Sequence, residues 1–482
     1  MRLTRTALAL STALLVPPAL LTAGARPASG QTLQEALAMA YANNPTLLAA
    51  RANLRAVDEN VPQALAGWRP TVQIASNVGW TDSRTRTRFT STETDRTLNS
   101  NSLTVTQPLF RSGRTLASTR RAENQVLAQR ARLFATEQQV LSDTVTAYVN
   151  VIRDQELLQL NINQEQVLAE QLRATNERFR VGEITRTDVA QAESRLAGAR
   201  ANRAQAEGNL QVSRAIFQRL VGTPPQRLTA PQPLRPPVRS AQEAAQLAAV
   251  NNPNVVAALF DEAGARDNVD IQITTLLPQL SLQGQAFRTG NSIQTGTVTE
   301  GAQATINLTL PIYQGGAEYA AVRQARQQAV QLRQVVGEQR RLVTQQATAA
   351  WEELQSRRAQ VESVRAQIRA AEIALDGVQR EAIVGSRTTL DVLNAEQELL
   401  NARTSLVQAL SQVVTASFLL ASTLGRLTAQ DLALPVELYD MRAYYNAVRN
   451  RWFGLGDYSE QAQAEAQAQR TAVEGFLQGT GR

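Results

Sequence analysis

The sequence predicts a duplicated, mostly helical chain that contributes four transmembrane β-strands to a barrel shared between copies. Residues Pro108 to Gly222 recur 203 positions later as Pro311 to Gly425. Four stretches alternate apolar and polar residues with a period of two, the mark of strands with one apolar face. Two runs of about 65 to 70 residues hold a helical pattern, the first without any Gly or Pro after Gly113.

The duplication sets the organisation. Gly113 maps to Gly316, Gly182 to Gly385, Asp188 to Asp391, Val189 to Val392 and Leu196 to Leu399. Upstream, at an offset of 208, Asn43-Asn44-Pro45 matches Asn251-Asn252-Pro253. The change in offset falls between Pro70/Pro278 and Pro108/Pro311, so one loop differs in length between the halves. A unit of about 200 residues is far longer than the 20 to 50 of a solenoid repeat, and reads as two fused halves of one symmetric object. The boundaries are a leader over 1–30, a first repeat over 31–230, a second over 231–425, and a C-terminal equatorial and tail region over 426–482.

The elements follow in order. Arg2 and Arg5 precede the apolar run Ala7 to Leu21 and then small residues near Ala25 and Gly30, the layout of a secretory signal peptide. No later run is apolar and long enough to span a membrane as a helix. Thr32 and Glu35 form a capping box that opens a helical region to Ala66, interrupted at Asn43-Asn44-Pro45 and ended by Pro70. A β-hairpin occupies about 71–107. Val72, Ile74, Val78 and Trp80 share one face of its first strand, and Leu103 and Val105 one face of its second. Ser83 to Asn101 reads as a polar loop, and Pro108 closes the hairpin. A long coiled-coil hairpin spans about 112–221, with Leu127, Phe134, Leu141 and Tyr148 seven residues apart and Ala131, Val145 and Ile152 beside them. Its first helix would reach about 100 Å.

The second half repeats this with a β-hairpin over about 279–310 and a coiled-coil hairpin over about 315–424, turning at Gly385. A short helix around Leu438 to Arg451 and a Gln-Ala-rich tail from Gln461 to Arg470 complete the chain.

Strands of about ten residues with an apolar and an uncharged polar face suit a transmembrane barrel. Four cannot close one, since about eight is the practical minimum, and an open edge in lipid leaves backbone groups unsatisfied. Several chains must share the barrel, and three would supply twelve strands.

Composition narrows the function. With 43% hydrophobic and 5% aromatic residues over 482 positions, the chain suits long helices in thin layers. It has no Cys and no His, and all 49 basic residues are Arg. Thiol, imidazole and Schiff-base chemistry are excluded, so no catalytic residue, metal site or cofactor is expected and the chain is not read as an enzyme. The formal charge of +7 comes from Arg interleaved with Glu and Gln, without the basic patch that nucleic-acid binding requires.

With duplicated halves, two strands per half and paired long and short helices, the chain resembles the TolC family of outer-membrane channel-tunnel proteins over roughly residues 31 to 440. Two local stretches carry the likeness: Arg178-Phe179-Arg180-Val181-Gly182 running to Thr187-Asp188-Val189, and Val384-Gly385-Ser386-Arg387-Thr388 running to Asp391-Val392-Leu393. The resemblance implies a homotrimer in the outer membrane whose helices form a tunnel across the periplasm. Both helix turns would then lie at the periplasmic entrance. Asp391 would form a ring of three carboxylates in the lumen as gate and selectivity filter. Asn394 stands where the family often has a second acidic ring, and Ala382 where an aromatic residue is common. Arg387 would latch the closed state through Asp188 or Thr187 of a neighbouring hairpin. The turns Val181-Gly182-Glu183 and Val384-Gly385-Ser386 would receive a periplasmic adaptor (membrane fusion) protein.

The function so implied is a passive exit duct for drug efflux, type I protein secretion or both, recruited by an inner-membrane RND or ABC transporter and its adaptor. With no nucleotide-binding loop in the chain, energy must come from that transporter. The expected partners are further copies of the chain, the adaptor, the transporter and outer-membrane lipid. The competing reading is a periplasmic coiled-coil adaptor or structural tether.

Overall fold

A computed structural model describes residues 31–292, 295–460, 462–464 and 467. The leader and most of the Gln-Ala tail lie outside the described residues. The first half begins with α1 (Leu33–Asn43), α2 (Pro45–Asp58) and α3 (Asn60–Leu65), then a 3-10 turn over Ala66–Trp68. Strands β1 (Thr71–Arg86) and β2 (Ser91–Phe110) follow, then α4 (Arg114–Arg180) and α5 (Arg186–Val221). The second half runs α6 (Ala241–Asn251), α7 (Pro253–Ile273), β3 (Gln279–Gly290), β4 (Val298–Thr309), α8 (Ala317–Ile383) and α9 (Thr389–Thr423). Between Leu438 and Arg451 only α10 (Ala443–Val448) is helical.

The Thr32–Glu35 capping box forms in both directions, with Glu35 Oε2 accepting from the Thr32 N–H at 3.0 Å. The repeated Asn-Asn-Pro has a double task. Asn44 Oδ1 caps α2 by accepting from the Thr46 N–H, while its amide donates to the Leu220 carbonyl at the end of α5. Asn252 does the same for α7 and the Thr423 carbonyl at the end of α9, with the same distances of 2.9 and 3.0 Å. The dipeptide thus ties each short helix to the far end of its own hairpin. Gly425, in the left-handed region at φ +75°, passes so close to Asn251 that a Cβ would lie 2.6 Å from its carbonyl oxygen.

The four strands form one antiparallel sheet in the order β1-β2-β3-β4. The register puts Val72 opposite Val105, Ile74 opposite Leu103, Leu280 opposite Leu308 and Leu282 opposite Ile306. These side chains share one face and, apart from the half-buried Leu280, stay exposed, Ile74 at 78%. The outer edges of β1 and β4 have no partner strand among the described residues.

Two strand ends differ from the expectation. Ser83 to Asn101 is not a loop: β1 runs 16 residues and β2 runs 20, around a turn at Thr87–Thr90. The alternating apolar face ends near Trp80, but Thr-rich strands pair equally well in water, and Arg84 faces Glu93 at 2.9 Å. Nor does Pro108 end its strand. β2 continues to Phe110 through a register shift at Pro108, a bulge that tolerates the missing N–H.

The helical core is thin and split into clusters. Leu141 and Val145 of α4 meet Leu37, Leu54 and Phe418, while Tyr148 and Val151 meet Phe217 and Leu220. Leu141 and Tyr148 are fully buried as the heptad predicts. Phe134 is not: it lines an open groove with Leu127 and Glu137 beside Leu438 to Arg442. Contrary to expectation, α9 does contain a window apolar enough to span a membrane, with a mean hydropathy of 1.4. Its Val413, Val414, Phe418 and Leu420 bury against α4, α6 and α8 instead.

Candidate functional site

Two helix-to-helix turns, Val181–Asp188 and Val384–Asp391, are built from the same two motifs. Gly182 (φ +77°) ends α4 with a Schellman pair: its N–H donates to the Phe179 carbonyl at 3.0 Å and the Glu183 N–H to the Arg178 carbonyl at 3.0 Å. Gly385 (φ +80°) ends α8 identically, through the Ala382 carbonyl at 3.2 Å and Ser386 to Glu381 at 3.0 Å. Each following helix then opens with a capping box. Asp188 Oδ2 accepts from the Thr185 N–H (2.9 Å) and hydroxyl (2.7 Å). Asp391 Oδ2 accepts from the Thr388 N–H (3.0 Å) and hydroxyl (2.8 Å).

These bonds set the electrostatics. Hydrogen bonds from Thr185 hold the Asp188 carboxyl below the usual range, and the backbone and hydroxyl of Thr388 do the same for Asp391. Each turn also carries one ion pair, with its sign exchanged between the repeats. In the first, Arg178 on the helix donates to Glu183 on the turn at 2.8 Å. In the second, Arg387 on the turn donates to Glu381 on the helix at 2.8 Å. Arg178 and Glu381 occupy equivalent repeat positions, so the two tips present opposite charge in matching places. Both pairs are exposed and brace the turn more by geometry than by energy.

Around this frame the apolar residues point outward. Val181 and Val384 are 78% and 79% exposed, and Ile383, next to Val384 in sequence, is exposed as well. No atom beyond the immediate chain comes within 4 Å of a Cβ built on Gly182 or Gly385, so each glycine sits in open space.

The expected latch residues are not joined within one chain. Arg387 holds Glu381, Asp188 holds Thr185, and Thr187 is exposed on the first turn of α5. Asn394 accepts from Arg195 of α5 at 3.0 Å, and Leu393 packs with Leu168, Leu196 and Ala199. The α9 segment after Asp391 is therefore the seam between the two hairpins of one chain. Sequence reasoning missed Thr185, Thr388, Glu381 and Arg195. The two threonines had a signal, because Thr185-x-x-Asp188 and Thr388-x-x-Asp391 repeat the Thr-x-x-acid pattern recognised at Thr32.

Residues 36–223 and 244–426 match the family model described as outer membrane efflux protein. Over 430 residues the chain is 36% identical to the outer membrane efflux protein BepC of Brucella suis biovar 1, covering 89% of this chain and 92% of that protein. It is 25% identical to the alkaline protease secretion protein AprF of Pseudomonas aeruginosa, covering 74% and 76%. The fold superimposes on the Campylobacter jejuni CmeC outer membrane channel with a TM-score of 0.72 at 16% identity, covering 82% of this chain and 85% of that one.

Proposed function

The chain belongs to the outer membrane efflux protein family, and on that premise we propose that three copies close one barrel of twelve strands above one helical tunnel, a passive exit duct. It is an outer-membrane channel rather than an enzyme, and its helices extend into the periplasm. The observation that carries the trimer is a four-stranded sheet with one exposed apolar face and two edges unpaired among the described residues. In lipid those edges need strands from another copy.

The two turns lie at the far end of the helices from the sheet and receive the tips of a periplasmic adaptor. Exposed Val181, Ile383 and Val384, with bare backbone at Gly182 and Gly385, offer two similar apolar contacts per chain. Glu183, Ser386 and the exchanged ion pairs make the two contacts distinguishable. The adaptor connects the duct to an RND or ABC transporter in the inner membrane, which supplies the energy. Relatives named for efflux and for protease secretion support drugs, proteins or both as cargo.

Asp391 of three copies forms the acidic constriction, and Arg387 exchanges Glu381 for Asp188 or Thr187 of a neighbouring hairpin when the entrance closes. An adaptor or tether, the competing reading, has no use for a lipid-type sheet. Because the chain has no cysteine, Val181→Cys and Val384→Cys provide unique crosslinking sites. In cells they should capture an adaptor from both turns, whereas a trimer that exports normally with neither turn crosslinking to another protein would remove the turns from the interface.

A further inference from the structure

We propose that the loop Arg451–Tyr458 is a second membrane contact, an apolar finger that inserts into the inner leaflet of the outer membrane at the foot of the barrel. It lies outside the duct's machinery, and rests on the barrel being in the outer membrane. Trp452 is 63% exposed, Phe453 is 92% exposed, and Leu455 is fully exposed. Three large apolar side chains on one short loop, with Gly454 between them and Gly456 just after, make a patch that a water-facing surface rarely carries.

The loop is built to hold them outward. The Arg451 guanidinium stacks on the Tyr458 ring at 3.5 Å from its centroid, closing the base. Gly454 adopts φ +128°, and a Cβ there would collide with the Tyr458 hydroxyl, so the bend depends on glycine.

Its position identifies the occupant. Arg69 donates to the Arg451 carbonyl at 2.6 Å, and its guanidinium lies 5.1 Å from the centre of the Trp452 ring. Arg69 stands two residues before β1, and Val72, the first residue of the apolar sheet face, follows. The radial side is set by Gln107, which shares the face of Leu103 and Val105 and donates to the Trp68 carbonyl at 2.9 Å. The 3-10 turn that carries Trp68 therefore crosses the foot of the sheet on its lipid side. Trp452, Phe453 and Leu455 continue the apolar face where headgroups begin, the depth at which Trp and basic side chains are favoured. Arg69 and Arg451 at its base complement anionic phospholipid headgroups.

Phe453→Cys introduces the only thiol in the chain at a position without packing partners to lose. The full-length protein, reconstituted in phosphatidylethanolamine and phosphatidylglycerol vesicles and labelled there with an environment-sensitive dye, should show blue-shifted emission quenched by nitroxide-bearing lipid. Ile74→Cys on the sheet face serves as the lipid-exposed reference, and Phe89→Cys in the turn of the long hairpin as the water-exposed one. Water-like emission at position 453, unquenched while Ile74→Cys is quenched, overturns the proposal. So does a label shielded from both nitroxide lipid and aqueous iodide, which would place a neighbouring subunit on the finger. Absence of lipid quenching at both 74 and 453 overturns the barrel placement itself, and the finger with it.

Discussion

Asp58, at the end of α2, is buried with neither carboxylate oxygen hydrogen-bonded. Burial pushes its carboxyl up to about 7; Arg130 and Arg55 pull it down only in part, and Glu59 pushes it further up. The folded chain therefore keeps a proton on Asp58 that the unfolded chain releases near pH 3.8. Stability falls as pH rises through this window, and the penalty is complete above about pH 7. Asp58→Asn, a neutral isostere, should raise the thermal midpoint at pH 8 by an amount worth roughly a few kcal/mol and raise it less at pH 5. A gain equal at both pH values would mean that the ionised carboxylate is not the source of the penalty. Asp391 runs the other way. Thr388 keeps its carboxyl ionised below the usual range, so cation selectivity arising from it should persist as pH falls into that range. In planar bilayers Asp391→Ala and Asp391→Asn should both weaken cation selectivity and affinity for trivalent cations. Only Ala removes the hydrogen-bond acceptor for Thr388, so only Ala should speed amide exchange over 388–392. Unchanged selectivity in both variants would place the constriction elsewhere. The acidic position was legible from the repeat, whereas its partner in the cap required attention to Thr388 as well as to the charge.

At the scale of elements, both turns rest on a left-handed glycine in open space. A bulky residue there meets no steric block, and the cost is the backbone conformation, about 1–2 kcal/mol per site. Gly182→Leu and Gly385→Leu together should abolish export while leaving the amount of trimer in the outer membrane unchanged. Export at the normal rate would show that no adaptor reads the turns. The long hairpin gives a complementary expectation. β3 pairs with β2 only from Asn99 onward, so residues 79–98 form a two-stranded ribbon above the four-stranded sheet. Replacing residues 83–94 by a two-residue turn should leave the melting temperature of the trimer within a few degrees of the parent, because among the described residues no strand beyond β1 and β2 pairs there. Alternation revealed these strands only as far as Trp80, since the period-two signal depends on one face being apolar. Beyond the membrane the ladder persists on backbone bonds and cross-strand pairs such as Arg84–Glu93, which periodicity cannot detect. Helix ends were more legible. Gly113, Gly182, Gly316 and Gly385 all have positive φ at helix boundaries, where the residue type itself reports the geometry.

At the scale of the molecule, one arrangement accounts for the duplication, the thin core and the open sheet. Each half supplies two strands and one helical hairpin, and Asn44 and Asn252 fasten the halves alike. The sequence carried this plan because equivalent residues recur at a fixed spacing. It did not carry the contacts between distant segments. Arg195 to Asn394, and Glu137 to the Ala429 N–H at 2.7 Å, join segments about 200 to 300 positions apart with no local pattern. In the proposed assembly one chain is only a third of a channel. The most direct test is the mass of the protein extracted from outer membranes in mild detergent, determined by native mass spectrometry. A single species with three times the mass of the mature chain, persisting on dilution, is expected. A monodisperse monomer that still conducts in bilayers would contradict it.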